Sequence, residues 1–160
     1  MIRLVPEPLT REGFAPFGQV LQTDGARNFP INQGTTTRFH ALAAAEIDPQ
    51  GRAILSIFRG SRRPDPIAIT MLERHPLASQ AFMPLSGDDW LIVVAERPTG
   101  DALKCFRATG SQGVQYATNV WHHPLLVLAR EQDFLIVDRD GPGDNLEEIT
   151  LTDPAEIALR

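Results

Sequence analysis

Short apolar runs of strand length dominate the chain from residue 52 onward. They are rich in Ile, Val, Leu and Phe, and clusters of Gly, Pro, Asp and Ser separate them, which is typical of strands and turns. No long segment repeats apolar residues at helical spacing, so a parallel sheet with crossover helices is not expected. The predicted strands are Arg52 to Arg59, Pro66 to His75, Gln80 to Leu85, Asp89 to Glu96, Leu103 to Ala108, Gly113 to Thr118, His122 to Ala129 and Phe134 to Arg139. This pattern predicts an all-β chain folded as a sandwich or barrel.

The two ends of the chain are less regular. We predict further short strands at Arg3 to Val5, Gln19 to Gln22, Thr36 to Ala41 and Leu146 to Leu151. Short helical segments are expected at Arg11 to Phe14, where Thr10 can supply the N-cap, at Ala41 to Glu46, and after Asp153. Residues 23–34 are rich in Asp, Gly, Asn and Pro and are predicted to form a loop.

The run from Pro66 to His75 changes character along its length. Period-two alternation places Ile67, Ile69, Glu73 and His75 on one face of the strand. The face is apolar at its start and carries an acid and an imidazole at its end. We therefore expect the strand to run from the packed part of a barrel into a polar pocket near its mouth.

Length and charge limit the classes of function. With 160 residues, a formal net charge of −5 and no run of basic residues, the chain is predicted to be one domain that binds neither nucleic acid nor an anionic membrane. The single cysteine, Cys105, excludes an intramolecular disulfide and suits a reducing compartment. No apolar stretch approaches the ~20 residues of a spanning helix, and Met1 is not followed by a secretory signal pattern. We predict a cytoplasmic protein.

Histidines concentrate in two segments of the chain. Three of the four histidines are His75, His122 and His123, and Glu73 and Gln80 flank the first of them. Glu73 and His75, two positions apart on a strand, project from one face, and the next antiparallel strand would bring Gln80 beside them. Such a set can transfer protons, with Glu73, His75 and His122 as the catalytic residues, or hold a metal ion.

The spacing of these residues resembles the two motifs of the cupin superfamily. Glu73-x-His75-x4-Gln80-x6-Gly87 matches the first motif in spacing but not in two residue types, and Asn119-x2-His122 resembles the second. Asn119 stands where that motif has glycine. Asparagine is among the few residues that adopt left-handed backbone conformations readily, so it is a plausible turn residue there.

Longer strings of sequence are more specific and resemble the ureidoglycolate lyase family. The strings are Glu73 to Pro84, Asn119 to Leu125, Asp133 to Arg139, Ile31 to Gly34 and Gln112 to Tyr116. The resemblance implies a single cupin-type domain over residues 1–160, a double-stranded β-helix (jelly-roll barrel) with a few short helices. It also implies cleavage of (S)-ureidoglycolate to glyoxylate and urea in allantoin (purine) degradation, by a homodimer that can carry a divalent metal, with nickel favoured. A non-catalytic cupin that binds a small carboxylate, or another metal cupin enzyme, is the alternative.

The chemistry implied by this substrate can be assigned to particular residues. Ureidoglycolate carries a hydroxyl and a urea nitrogen on one carbon beside a carboxylate, so cleavage requires a base, an acid and a cation for the carboxylate. Glu73 is the candidate base and His75 or His122 the candidate acid. Alternatively, Glu73, His75, Gln80 and His122 bind one divalent ion, which would lower the pKa of the substrate hydroxyl. A mixed imidazole and oxygen set suits nickel, zinc, iron or manganese.

Several polar residues are candidate ligands of the substrate. Arg59 is the first choice for the carboxylate, because a guanidinium that entered the barrel would match a carboxylate with its planar fork. The other candidate substrate-binding residues are Gln80, Asn32, Arg38 and Tyr116.

Three further residues are expected in supporting roles. His123 points away from His122 on a strand and is predicted to be structural. Arg63 is predicted to be a solvated turn charge. Asp138 could support a histidine from outside the set that touches the substrate.

Overall fold

Fifteen strands account for most of the computed structural model, which describes residues 1–159. The strands are β1 Ile2–Leu4, β2 Glu7–Pro8, β3 Gly18–Leu21, β4 Asn28–Ile31, β5 Thr36–Phe39, β6 Arg52–Ser61, β7 Ile67–Arg74, β8 Gln80–Pro84, β9 Trp90–Ala95, β10 Leu103–Ala108, β11 Gly113–Tyr116, β12 Trp121–His122, β13 Leu126–Val127, β14 Glu131–Asp140 and β15 Glu147–Ile157. The helical elements are α1 Arg11–Phe14 and two 3-10 turns, Asn32–Gly34 and Gly100–Ala102. The prediction of an all-β chain with a few short helices is confirmed.

Two sheets form the body of the protein. The first has the order β1-β15-β7-β12-β9-β10-β2, with β13 also paired to β9, and the second has the order β3-β11-β8-β14-β6. The pairs β1/β15 and β10/β2 are parallel, and the other pairs in the two sheets are antiparallel. This arrangement of curled sheets confirms the expected jelly-roll barrel of the cupin type.

The barrel interior is filled by a cluster of aromatic and aliphatic side chains from both sheets. Phe82, Tyr116 and Phe134 enter it from the second sheet, and Trp90 and Phe106 enter it from the first. Their rings meet edge to face, as Trp90 and Phe134 do with centroids 4.8 Å apart. Such aromatic pairs add specificity of packing to the burial of apolar area. A polar side chain of the interior packs against this cluster, since the His122 ring is stacked on Tyr116.

The prediction for the alternation along β7 is wrong at one point. Ile67, Ile69 and Leu72 all belong to a second apolar cluster, which the first sheet forms with both chain termini. Strict alternation would place Leu72 opposite Ile69, so the side-chain order shifts by one residue between them. The ladder with β15 is irregular at the same place, between Thr150 and Ala155. As a result, Glu73 lies on the face opposite all three apolar residues.

In the segments between the main strands, one prediction is confirmed and several are wrong. The N-cap of α1 is confirmed, since the Thr10 hydroxyl accepts a hydrogen bond from the Gly13 amide. The predicted loop 23–34 contains β4, which pairs with β5 in a separate hairpin, and residues 41–46 form no helix. Residues 153–157 continue β15 instead of forming a helix. The predicted strand 122–129 is divided into β12 and β13 around Pro124, which has no amide hydrogen for a ladder.

No helix within residues 1–159 has the length and apolar character needed to cross a bilayer.

Candidate active site

Glu73, His75 and His122 converge at one end of the barrel. Glu73 is near the end of β7, and His122 of β12 is its direct partner in the antiparallel ladder. Potential ligand atoms of the three residues all lie within 4.8 Å of one another, and His122 Nε2 is 3.5 Å from Glu73 Oε1. The structure therefore brings together the three residues that the sequence predicts as catalytic.

A left-handed turn holds the two segments in this position. Asn119 has a φ of 68°, as expected for asparagine in place of the motif glycine. Its backbone amide donates a hydrogen bond of 2.8 Å to the carbonyl of His75. This bond ties the end of β7 to the turn before β12, so the turn sets the separation of His75 and His122.

Hydrogen bonds to the backbone define which nitrogen of each imidazole faces the site. His75 Nδ1 lies 2.8 Å from the carbonyl oxygen of Asn145, and His122 Nδ1 lies 2.9 Å from that of Val120. A carbonyl oxygen only accepts, so each Nδ1 is the protonated donor and each neutral ring presents a lone pair at Nε2. Both Nε2 atoms are buried and have no hydrogen-bond partner among residues 1–159.

Gln80 adds a third unpartnered acceptor. Its side-chain amide nitrogen donates a hydrogen bond of 3.1 Å to the Asp138 carboxylate, while its Oε1 is buried without a partner in the described residues. Buried polar atoms without partners are uncommon in native proteins, and each one calls for an explanation such as a bound ion. Gln80 and Glu73 line the same cavity.

The electrostatics of this set favour a bound cation. The lone pair of a neutral His122 faces the Glu73 carboxylate at 3.5 Å, which is unfavourable unless a proton or a metal ion lies between them. Burial raises the pKa of Glu73, but the contact with His122 and the charge interactions with the three neighbouring histidines lower it by more, so the net pKa is below the ordinary value. The carboxylate is therefore ionised at neutral pH. Two imidazole nitrogens and a carboxylate at this separation fit a divalent metal ion, and Gln80, which lines the same cavity as Glu73, offers an amide oxygen.

Tyr116 and His123 lie beside the site, but neither is among the residues that line the cavity. The Tyr116 ring is stacked on His122 with centroids 4.1 Å apart and an angle of 9° between the planes. Burial and the negative charge of Glu73 raise the pKa of the Tyr116 hydroxyl, so it stays protonated. Burial lowers the pKa of His123 to about 4, and its Nδ1 donates to the Pro124 carbonyl. A neutral, buried His123 fits the structural role predicted for it.

A cavity of about 620 Å³ gives access to Glu73 and Gln80. The strand β6 forms much of one side, and Phe82 and Leu125 contribute apolar surface. This volume is within the range of small-molecule sites. A substrate that entered the cavity would meet the carboxylate of Glu73 directly.

Comparisons with known proteins match almost the whole chain to one family. The family model described as "Ureidoglycolate lyase" matches residues 1–158. The chain belongs to the ureidoglycolate lyase family. The ureidoglycolate lyase of Pseudomonas putida (strain W619) is 50% identical over 165 aligned residues, which cover 99% of this chain and 98% of that protein. The ureidoglycolate lyase of Rhizobium etli (strain CIAT 652) is 54% identical, with 94% and 92% of the two chains covered.

Solved structures give only a distant likeness. An oxalate decarboxylase of Bacillus subtilis has a TM-score of 0.37 and 9% identity, with 71% of this chain and 31% of that chain covered.

A member of the ureidoglycolate lyase family needs a cation that binds the substrate carboxylate. Arg59, which the sequence predicts for this role, does not point into the barrel. Its side chain is 65% exposed and forms paired hydrogen bonds of 2.9 and 3.0 Å with the Asp133 carboxylate. Ile57, on the same face of β6, is also exposed, whereas Phe58 packs on the interior residue Phe82. The prediction that Arg59 enters the barrel is therefore wrong, because the other face of β6 points inward. Arg59 still contributes to the lining of the cavity, with its guanidinium engaged by Asp133.

Arg63 is the basic residue that sequence reasoning assigned to solvent and the structure places at the cavity. It forms no ion pair with any acidic side chain of residues 1–159. Its charge is near enough to lower the pKa of His123. Arg63 follows the end of β6 by two residues, and no sequence pattern indicated that its side chain would reach the cavity.

Asn32 and Arg38 lie away from the cavity. Both belong to the hairpin of β4 and β5, and the residues that line the cavity include neither of them. The Asn32 amide bonds instead to the Thr36 hydroxyl at 3.3 Å. Their contacts with the substrate stay a prediction.

Proposed function

We propose that this chain cleaves (S)-ureidoglycolate to glyoxylate and urea, a step of allantoin degradation. The observation that carries the proposal is the position of the Glu73 carboxylate, which lines the cavity and converges with the ligand atoms of His75 and His122. Membership of the ureidoglycolate lyase family supports the choice of substrate. The test is incubation of the purified protein with (S)-ureidoglycolate and measurement of urea and glyoxylate. We expect equal amounts of both products, and release of neither would contradict the proposal.

The proposed reaction is an elimination at the carbon that carries both the hydroxyl and the urea nitrogen. Glu73 accepts the hydroxyl proton, the oxygen electrons form the carbonyl of glyoxylate, and the carbon–nitrogen bond breaks. The urea nitrogen must then gain a proton. His75 or His122 can donate from Nε2 only as an imidazolium, because Nδ1 of each ring is already engaged with a backbone carbonyl. General acid and base groups in such positions each contribute about 10²- to 10⁴-fold.

We further propose that Glu73, His75, Gln80 and His122 hold one divalent metal ion, with nickel favoured by the family resemblance. The four residues present acceptor atoms only, and three of these atoms are buried without partners in the described residues. A metal ion there would supply positive charge that lowers the pKa of the substrate hydroxyl. A metal-bound Nε2 carries no proton, so a histidine that binds the ion cannot also protonate urea.

For the substrate carboxylate we propose Arg63 in preference to Arg59. Asp133 and Glu131 already neutralise Arg59, whereas Arg63 has no acidic partner in the described residues. We expect Arg63→Gln to raise KM roughly 10- to 100-fold, because a hydrogen bond to a charged group contributes about 1.5–3 kcal/mol. The matched variant Arg59→Gln should change KM by less than about threefold, as is usual for exposed ion pairs. Steady-state kinetics on both variants measure this, and a larger effect at Arg59 would return the role to that residue.

We propose that the protein is a homodimer, as is usual in this family by resemblance. The edge strand β6 exposes 72% of Leu55 and 62% of Ile57, and an exposed apolar edge strand favours association with another chain. Light scattering coupled to gel filtration should give a dimer for the wild type and a monomer for Leu55→Lys with Ile57→Lys. Val5→Lys, an equally apolar exposed position elsewhere, is the control and should stay dimeric. A dimeric double variant would place the interface elsewhere.

Binding of the substrate by Asn32 and Arg38 stays a prediction that requires such a second copy, since neither residue reaches the cavity of its own subunit. A cytoplasmic location is likewise retained as a proposal.

A further inference from the structure

The hydrogen bond between Gln80 and Asp138 joins adjacent strands beside the site. Gln80 is the first residue of β8, and Asp138 is on β14, one position beyond the paired residues Ala81 and Val137. Gln80 Nε2 donates to Asp138 Oδ2 over 3.1 Å. Asp138 forms no ion pair with a basic side chain of residues 1–159, so this contact is not part of a surface salt bridge.

The two ends of a glutamine amide differ, and Asp138 selects which end faces it. A carboxylate only accepts hydrogen bonds, so the NH₂ group must point to Asp138, and the oxygen must point away from it. The reversed amide would set its oxygen against the carboxylate oxygen with no hydrogen between them. In the observed orientation, Oε1 is buried and has no partner in the described part of the chain.

The orientation determines what Gln80 offers to the site. With Oε1 directed away from Asp138, Gln80 offers a buried, unpartnered acceptor atom, and its side chain lines the same cavity as Glu73. With the amide reversed, the same side chain would present two hydrogen-bond donors, which cannot bind a cation.

We propose that Asp138 is a positioning residue that holds the Gln80 amide with its oxygen available as a metal ligand. This inference rests on the metal site proposed above. Asp138 itself does not bind the metal. Residues that orient ligands from outside the metal's coordination sphere typically account for about 10- to 100-fold in metal affinity.

The first test is the variant Asp138→Asn, with nickel titrated calorimetrically into metal-free protein. The asparagine amide can donate to Gln80 Oε1 and so permits the reversed orientation. We expect nickel affinity to fall about 10- to 100-fold. Asp140→Asn is the matched control, because Asp140 is two residues along β14 and pairs with Arg52 at the surface. Its nickel affinity should equal that of the wild type.

A second background separates orientation from charge. In Gln80→Glu, both side-chain oxygens are equivalent, so no partner is needed to orient them, and the new carboxylate can accept from an asparagine at position 138. We expect Asp138→Asn to weaken nickel binding in the wild-type background and to cause no loss in the Gln80→Glu background. Equal losses in both backgrounds would show that Asp138 acts through its negative charge and would overturn the proposal. Unaltered affinity in the wild-type background would also overturn it.

Urea release is measured on the same preparations to keep this inference distinct from the proposed function. A wild-type protein that cleaves ureidoglycolate but binds no nickel would overturn the role of Asp138 and leave the lyase proposal standing. A wild-type protein that binds nickel and shows the expected dependence on Asp138, but releases no urea, would do the reverse. Thermal unfolding of each variant confirms that the compared proteins are folded.

Discussion

Replacement of Glu73 by glutamine should lower kcat about 10²- to 10⁴-fold, the contribution of a well-placed general base. Glutamine keeps the size of the side chain but replaces one acceptor oxygen with an NH₂ donor, and it cannot accept a proton at neutral pH. The carboxylate of Glu73 is ionised because its net pKa is lowered despite burial, so the wild-type base is available without a pH change. The loss should therefore persist across the neutral pH range and should not be recovered by raising the pH.

Glu148→Gln provides the control for this variant. Glu148 is the direct ladder partner of Glu73 on β15, but its side chain is exposed. Residues paired in this way share a face of the sheet, but only the Glu73 carboxylate converges with His75 and His122. The two substitutions therefore make the same chemical change on one rung of the sheet, inside and outside that cluster. We expect Glu148→Gln to retain wild-type kcat. Retained activity in Glu73→Gln, measured by urea release, would remove Glu73 from the mechanism.

Removal of bound metal is expected to have the second-largest effect. If Glu73, His75, Gln80 and His122 hold a divalent ion, exhaustive chelation followed by gel filtration should lower kcat/KM by about 10²-fold or more, because the substrate hydroxyl loses the positive charge that favours its deprotonation. Addition of nickel should restore the activity. Metal analysis of the same samples should show that the restored activity follows the bound ion.

His75→Ala distinguishes the two versions of the mechanism under the same conditions. If His75 is a metal ligand, the variant should bind nickel at least about tenfold more weakly. His40→Ala is the control, since the His40 ring packs against Phe29 near the β4–β5 hairpin. Full activity of the wild type after complete chelation would contradict metal assistance. It would favour proton transfer by Glu73 and an imidazolium alone, and the unpartnered Nε2 atoms would then be the sites of the transferred proton.

The residues of the site were predictable because their spacing is local. Glu73 and His75 are two positions apart at the end of β7, and a separation this short keeps their side chains close together whatever the rest of the strand does. The left-handed turn at Asn119 likewise follows from a preference of one residue type, and the structure shows it with a φ of 68°. The pairing of His122 with Glu73 needed in addition the resemblance of the two segments to known motifs.

Sequence patterns alone established an all-β chain and the proximity of Glu73 to His75, and the resemblance to known motifs added His122. Only the tertiary structure decided which face of each strand points inward. A shift of one residue exchanges the two faces, and such a shift separates Ile69 from Glu73 on β7. For the same reason Arg59 was wrongly placed inside, because exposed Ile57 and Leu55 are as apolar as core residues. The position of Arg63 at the cavity depends on contacts between segments distant in sequence, which no local period encodes.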